Sequence, residues 1–229
     1  MTLSCVKNLQ FEVVSDRQAD AEPLNFTPSH ILCAGYTGRN QEEVRRHVAE
    51  LARIGVAAPP QVPYLYRVAP YLLTYGESIQ VKGEKTSGEV EFVILVSEKE
   101  WYITIGSDHT DRELEKLSVD KAKQICPKVL ARQVWRYSEV KDHWDEINMM
   151  ATATIGPNSS IYQEGKLGLI LRPESLIETF TANKPGTVLF SGTLPLKSPD
   201  LIYADQFKMK LEDSIMRREI CHEYRVEAI

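Results

Sequence analysis

Apolar residues recur along this chain with two different periods. Between Gly88 and Ile105 they run almost unbroken: Val90, Phe92, Val93, Ile94, Leu95 and Val96, then four polar residues, then Trp101-Tyr-Ile-Thr-Ile105. Runs of β-branched and large apolar residues predict two strands, and the short polar return predicts a hairpin that ends just before Asp108. Short strands are also predicted at 9–14 and 31–36, joined by a polar, proline-containing stretch. The period changes at Val44, where apolar side chains fall at 44, 48, 51 and 54, the spacing of one helix face. Asn40 can cap this helix, Glu43 three residues on completes a capping box, and Gly55 ends it. Pro59, Pro60 and Pro63 then force an extended connector. Strands and turns are predicted from Tyr64 to Ile105, helices at about 112–124 and 138–149, and mostly strand from Ile161 onward. Residues 207–229 alternate as a half-buried hairpin. The sum is a β-rich α+β chain without the βαβαβ rhythm of a doubly wound sheet.

Length and composition narrow the classes of function. The 229 residues suit a single domain, with 1–30 as an N-terminal extension packed on the core and 31–229 as the domain proper. A formal charge of −5 argues against a nucleic-acid partner, which calls for a basic face. No apolar stretch approaches the roughly 18 residues of a membrane span, and the first residues lack the layout of a signal peptide. Cys5, Cys33, Cys126 and Cys221 are scattered without a CxxC pair, so reduced cysteines in a cytoplasmic protein are expected. A Gly-x-Gly-x-x-Gly turn, a P-loop, a Gly-x-Ser-x-Gly elbow and a His-Glu-x-x-His helix are all missing, which removes dinucleotide, nucleotide and serine-hydrolase readings.

The candidate chemistry lies in the carboxylates. On a strand, residues two apart share a face, so Glu89 and Glu91 stand side by side with Val93 and Leu95 beyond them. Asp108 arrives from the returning strand. Three converging carboxylates without a nearby Cys or His pair are hard oxygen ligands suited to Mg²⁺ or Mn²⁺. Glu-x-Glu is equally at home on a solvated strand end, and spacing by itself leaves both readings open. His47 and Glu50, three apart on the capped helix, share a face and can form a carboxylate-oriented general base, or lie on a solvated surface. His143, within Lys141-Asp-His-Trp-Asp-Glu146, is expected on a solvated helix face. Tyr64, Tyr66, Tyr71 and Tyr75 are read mainly as packing aromatics.

From about residue 32 to 226 the chain resembles the fumarylacetoacetate hydrolase family, with landmarks in family order. Gly38-Arg-Asn-Gln-Glu-Glu-Val-Arg-Arg-His47-Val-Ala-Glu50 keeps a His-x-x-Glu dyad, and Glu89-Val-Glu91 resembles the family's metal strand. Ser107-Asp108-His-Thr-Asp-Arg112-Glu113 is similar to its Asn-Asp-x-Ser-x-Arg-Asp stretch, with Ser107 and Glu113 as departures. Lys123-Gln-Ile-Cys126-Pro127, Gln163-Glu-Gly165 and Gly186-Thr-Val-Leu-Phe-Ser-Gly192-Thr193-Leu-Pro195 approximate later motifs. The resemblance implies a mixed β-sandwich roll with a few short helices. It implies Mg²⁺ or Mn²⁺ on Glu89, Glu91 and Asp108, with His47, Glu50 and Lys123 as catalytic residues. Gln163, Gly192 and Thr193 would contact a small oxo-acid substrate. The implied activity is metal-dependent hydrolysis of a C–C bond in an acylpyruvate-like 2,4-dioxo acid. The same scaffold hosts 2-oxo acid decarboxylases, isomerases and hydratases, and a non-catalytic dimeric binding protein is the reading from another class. A homodimer is implied by the resemblance alone.

Overall fold

The computed structural model describes residues 8–15, 23–53 and 58–229, without the side chains of His47, Glu50 and residues 51–53. Two sheets carry most of the chain. The path of the larger, ten-stranded sheet runs Pro23–Phe26, Leu9–Val13, Gln133–Arg136, Trp101–Asp108, Val90–Val96, Thr187–Phe190, His30–Gly35, Tyr64–Val68. Lys128–Leu130 extends it beside Trp101–Asp108 and pairs in parallel with Leu73–Thr74. The five-stranded sheet runs Asn158–Lys166, Asn148–Ile155, Gln206–Asp213, Arg218–Ala228, Ser78–Val81.

Val90–Val96 is buried along its whole length, so its alternating side chains feed two cores. Val90, Phe92, Ile94 and Val96 pack with Met149, Ala151, Phe207, Leu211 and Ile220 of the smaller sheet, which stacks the two sheets face to face. Phe92 meets Trp144 edge-on at 4.9 Å between ring centroids, and both are fully buried. Burying an aromatic of this size contributes about 2–3 kcal/mol through the hydrophobic effect. Val93 and Leu95 face the other way, into a cluster with Leu9, Phe11, Tyr66, Val68 and Phe190. Leu9 and Tyr66 sit near opposite ends of the same sheet, so the sheet curls until its margins meet across that second core.

The predicted hairpin is present: Val90–Val96 pairs antiparallel with Trp101–Asp108, Glu91 opposite Gly106. Only glycine fits at 106, because a Cβ there would lie 2.6 Å from the Val129 carbonyl and 2.9 Å from Phe190. The C-terminal hairpin is Gln206–Asp213 with Arg218–Ala228. Leu9–Val13 and Pro23–Phe26 add two strands at one end of the large sheet. The helix Gln41–Arg53 starts where expected, with Asn40 Oδ1 accepting from the Glu43 amide at 3.3 Å. Gly55, its expected terminator, lies outside the described residues. Asn40→Ala is expected to cost about 1 kcal/mol, the usual loss for an N-cap, read from thermal unfolding.

Four sequence expectations are corrected. The helix at 112–124 is two helices, Arg112–Glu115 and Val119–Gln124. The Leu117 and Ser118 amides close the first on the Leu114 carbonyl, and extended Ser118 caps the second through the Lys121 amide. The helix at 138–149 is a single turn, Tyr137–Val140, then a 3-10 segment kinked at His143, and Asn148 already begins a strand. Beyond Ile161 the chain also holds a helix, Pro173–Thr179, opened by proline at its first turn. His143 is not a solvated residue: its Nε2 lies 3.0 Å from Oδ2 of buried Asp213. Among the described residues no helix is long and apolar enough to cross a membrane.

Candidate metal centre

The hairpin does to the carboxylates what strand geometry predicts. Glu89 precedes Val90–Val96, its carbonyl accepting from the Asp108 amide at 3.1 Å, so the ladder continues to the ligand residues themselves. Glu89, Glu91 and Asp108 each offer an oxygen within 4.8 Å of the others. Glu91 is 1% and Asp108 0% exposed, which excludes the solvated strand end.

Buried carboxylates require cationic or hydrogen-bonding partners, and here they have them. Lys123 Nζ lies 3.0 Å from Glu89 Oε2 and 2.5 Å from Asp108 Oδ2. Lys128 Nζ lies 2.8 Å from Asp108 Oδ1 and donates to the His109 carbonyl at 2.7 Å. Arg112 bridges Glu89 and Glu115 at 3.1 and 2.9 Å. The Gly192 amide donates to Glu91 Oε2 at 2.8 Å. These partners separate the three acids. Burial pushes the Asp108 carboxyl up, but Lys123 and Lys128 outweigh it and hold it well below the usual range. Burial likewise raises Glu89, and Lys123 with Arg112 brings it below its ordinary value. Burial and the Asp108 charge push Glu91 well above the carboxylate range. Burial alone would discharge Lys123, yet Asp108 and Glu89 keep its ammonium charged.

The donor set fits a hard divalent cation. All three donors are carboxylates, and Asp108 Oδ1, though buried, accepts no aligned hydrogen bond despite the nearby Lys128.

Of the other residues expected at the site, Lys123 joins the carboxylates directly and is 5% exposed, not a surface lysine. Gly192 contributes its amide to Glu91. Thr193 and Gln163 form a strut behind them. The Thr193 hydroxyl donates to the Val90 carbonyl at 2.8 Å, and the Gln163 amide spans Thr193 Oγ1, the Leu194 carbonyl and the Val90 amide. The helix bearing His47 and Glu50 is present, but their side chains lie outside the described residues. Sequence reading missed Lys128 and Tyr36, and it left Tyr66 within a set of aromatics read mainly as packing. Lys123 Nζ stands 5.7 Å from the centre of the Tyr66 ring, and the Tyr66 hydroxyl is hydrogen-bonded to Tyr36. Tyr36 adopts a left-handed φ of 61°, a backbone cost of about 1 kcal/mol for a non-glycine residue. That conformation has no sequence signature.

His109, beside the ligand Asp108, turns away from it: its ring nitrogens meet the Tyr224 hydroxyl at 3.1 Å and Thr86 Oγ1 at 2.8 Å. Burial, reinforced by Lys128 and Arg112, lowers its pKa to about 3. Its folded pKa is depressed, so between about pH 3 and 6.5 the unfolded chain binds one more proton and stability falls with falling pH. Urea unfolding at pH 6.5 and 5.0 is expected to differ by about 1.6 kcal/mol through this residue, the slope rising toward its limit of about 1.4 kcal/mol per unit as the unfolded histidine becomes fully protonated. His109→Gln is expected to shrink that difference.

A family model described as "Protein of unknown function (DUF2848)" matches residues 34–224. No curated protein matches the sequence. Among solved structures the fold is similar to that of Cg1458, with a TM-score of 0.63 at 16% identity over 88% of this chain and 77% of that one. It is also similar to 2-keto-3-deoxy-D-arabinonate dehydratase complexed with magnesium and 2,5-dioxopentanoate, with a TM-score of 0.62 at 16% identity over 93% and 78% of the two chains. At such identities the likeness establishes a shared fold and nothing finer.

Proposed function

This chain belongs to the family described as "Protein of unknown function (DUF2848)", and from its carboxylate centre we propose that it is a divalent-metal-dependent enzyme acting on a small oxo acid. The observation that carries this reading is the meeting of half-buried Glu89 with buried Glu91 and Asp108 within 4.8 Å. They would hold Mg²⁺ or Mn²⁺, and such a cation supplies Lewis acidity toward the oxygens of a 2-oxo acid.

The leading reaction is hydrolysis of a C–C bond in an acylpyruvate-like substrate. Lys123, held between Glu89 and Asp108, faces developing negative charge with a permanently charged ammonium. Arg112 fixes the Glu89 carboxylate and the Gly192 amide fixes that of Glu91, so neither needs to reorganise during reaction. His47, oriented by Glu50, is proposed to take a proton from water. Gln163 and Thr193 are proposed to set the shape of the substrate side, with Gly192 nearest the reacting oxygens. A homodimer is part of the same proposal.

A second reading, dehydration of a 2-keto-3-deoxy sugar acid, is favoured by the likeness to the magnesium-bound dehydratase. It needs a proton moved at the carbon beside the keto group rather than an activated water. Assays of acetylpyruvate, oxaloacetate and a 2-keto-3-deoxy acid with Mg²⁺, Mn²⁺ or EDTA distinguish the reactions. Turnover is expected with one of them, abolished by EDTA and in Glu89→Ala. Absence of turnover together with absence of metal binding would leave the fold without the proposed chemistry.

A further inference from the structure

We propose, building on that metal-centre reading, that Lys128 closes the carboxylate centre to a bare divalent cation and admits one only together with a dianionic ligand bearing two adjacent oxygen donors. The basis is the charge already assembled. Fully ionised, Glu89, Glu91 and Asp108 would supply three negative charges, and Lys123, Lys128 and Arg112 already stand within 3.1 Å of Glu89 or Asp108. Glu115 is a fourth carboxylate, but its side chain is 30% exposed and its contact is with Arg112 on the rim. Even with every inner acid ionised, the cations therefore match them one to one. A divalent cation arriving alone adds two positive charges to a dry site, where like charges repel far more strongly than in water.

Lys128 is the cation this centre cannot move aside. It is fully buried, and its Nζ is held by Asp108 Oδ1 at 2.8 Å and the His109 carbonyl at 2.7 Å. Its strand is locked in register, Lys128 opposite Asp108, and paired on its other edge with Leu73. The ammonium thus remains against the same carboxylate that a metal would use. A ligand carrying two negative charges offsets the incoming cation and restores the balance. The enolate of a 2-oxo acid, with its carboxylate and enolate oxygens side by side, has that charge and that donor pair. Oxalate reproduces both in an unreactive form.

The test is calorimetric titration of the intact chain with Mg²⁺, alone and with oxalate, at one pH, for wild type, Lys128→Met and Lys128→Arg. Wild type is expected to bind Mg²⁺ alone weakly and about 100-fold more tightly with oxalate, near the upper range of measured coupling between ligands. Lys128→Met is expected to bind bare Mg²⁺ about tenfold more tightly than wild type and to lose a matching part of the oxalate effect, while Lys128→Arg keeps it. Equal affinity of wild type and a folded Lys128→Met for bare Mg²⁺ overturns the proposal, and so does wild-type binding that oxalate does not change. Tight binding of bare Mg²⁺ by wild type overturns it even if Lys128→Met does not fold. These results leave the metal centre itself standing. Failure of Mg²⁺ to bind with or without oxalate overturns both.

Discussion

Asp108→Ala is expected to destabilise the protein by about 3–5 kcal/mol and to abolish divalent-metal binding, because it strips one carboxylate from two buried ammonium groups at once. Lys128 would keep only the His109 carbonyl, and Lys123 only Glu89. Removing one member of a buried ion pair costs more than the pair is worth, since the partner stays charged and dry. Asp108→Asn separates the parts of the effect: it preserves shape and an acceptor oxygen, so it should recover part of the stability and none of the metal affinity. Denaturant unfolding of the three proteins with parallel metal titration measures this. An Asp108→Ala protein within about 1 kcal/mol of wild type would mean that neither lysine depends on this carboxylate.

Gly192→Ala is expected to cost about 2–5 kcal/mol, summing a left-handed backbone penalty of about 1–2 with overpacking of about 1–3. Gly192 has a φ of 87°, and a Cβ would fall 2.2 Å from Thr37 Oγ1. Thr37 cannot readily give way, since its hydroxyl donates to the Ser191 carbonyl at 2.6 Å. Relief therefore has to come from the backbone at 191–193, and the amide that holds Glu91 moves with it. Turnover should fall along with stability. Thr37→Ala in the same background removes the obstructing hydroxyl and should return part of the lost stability, while the backbone penalty remains. Thermal unfolding of the single and double variants checks both halves, and a single variant as stable as wild type would contradict the close approach.

The site was legible in the sequence to the extent that it depends on strand periodicity. Glu89 and Glu91 two apart, and Asp108 at the end of a hairpin return, are consequences of local geometry that hold wherever the hairpin packs. The cap at Asn40 and the C-terminal hairpin were legible for the same reason, because each is settled by a few neighbouring residues. Where two local tendencies compete, the sequence misled. Residues 112–124 carry helical spacing, but Ser118 offers its hydroxyl to a new helix start and the single helix breaks there. Residues 147–149 look like the end of a helix, yet the ladder against Gln206–Asp213 claims Asn148 and Met149 for a strand.

By itself, then, the sequence determined the strand-rich class, the hairpin and the acid residues that meet at its end. Burial of those acids was decided by tertiary structure. Glu-x-Glu reads identically on a wet strand and a dry one, and stacking of the five-stranded sheet on the curled larger sheet is what excludes water here. Lys128 was decided the same way. It sits in a three-residue strand with no period to read, and its place beside Asp108 follows from a pairing register between segments that no local pattern connects. Local rules reach only as far as the next few residues, and the electrostatics of a buried centre depend on every charge that the folded chain brings within a few ångströms.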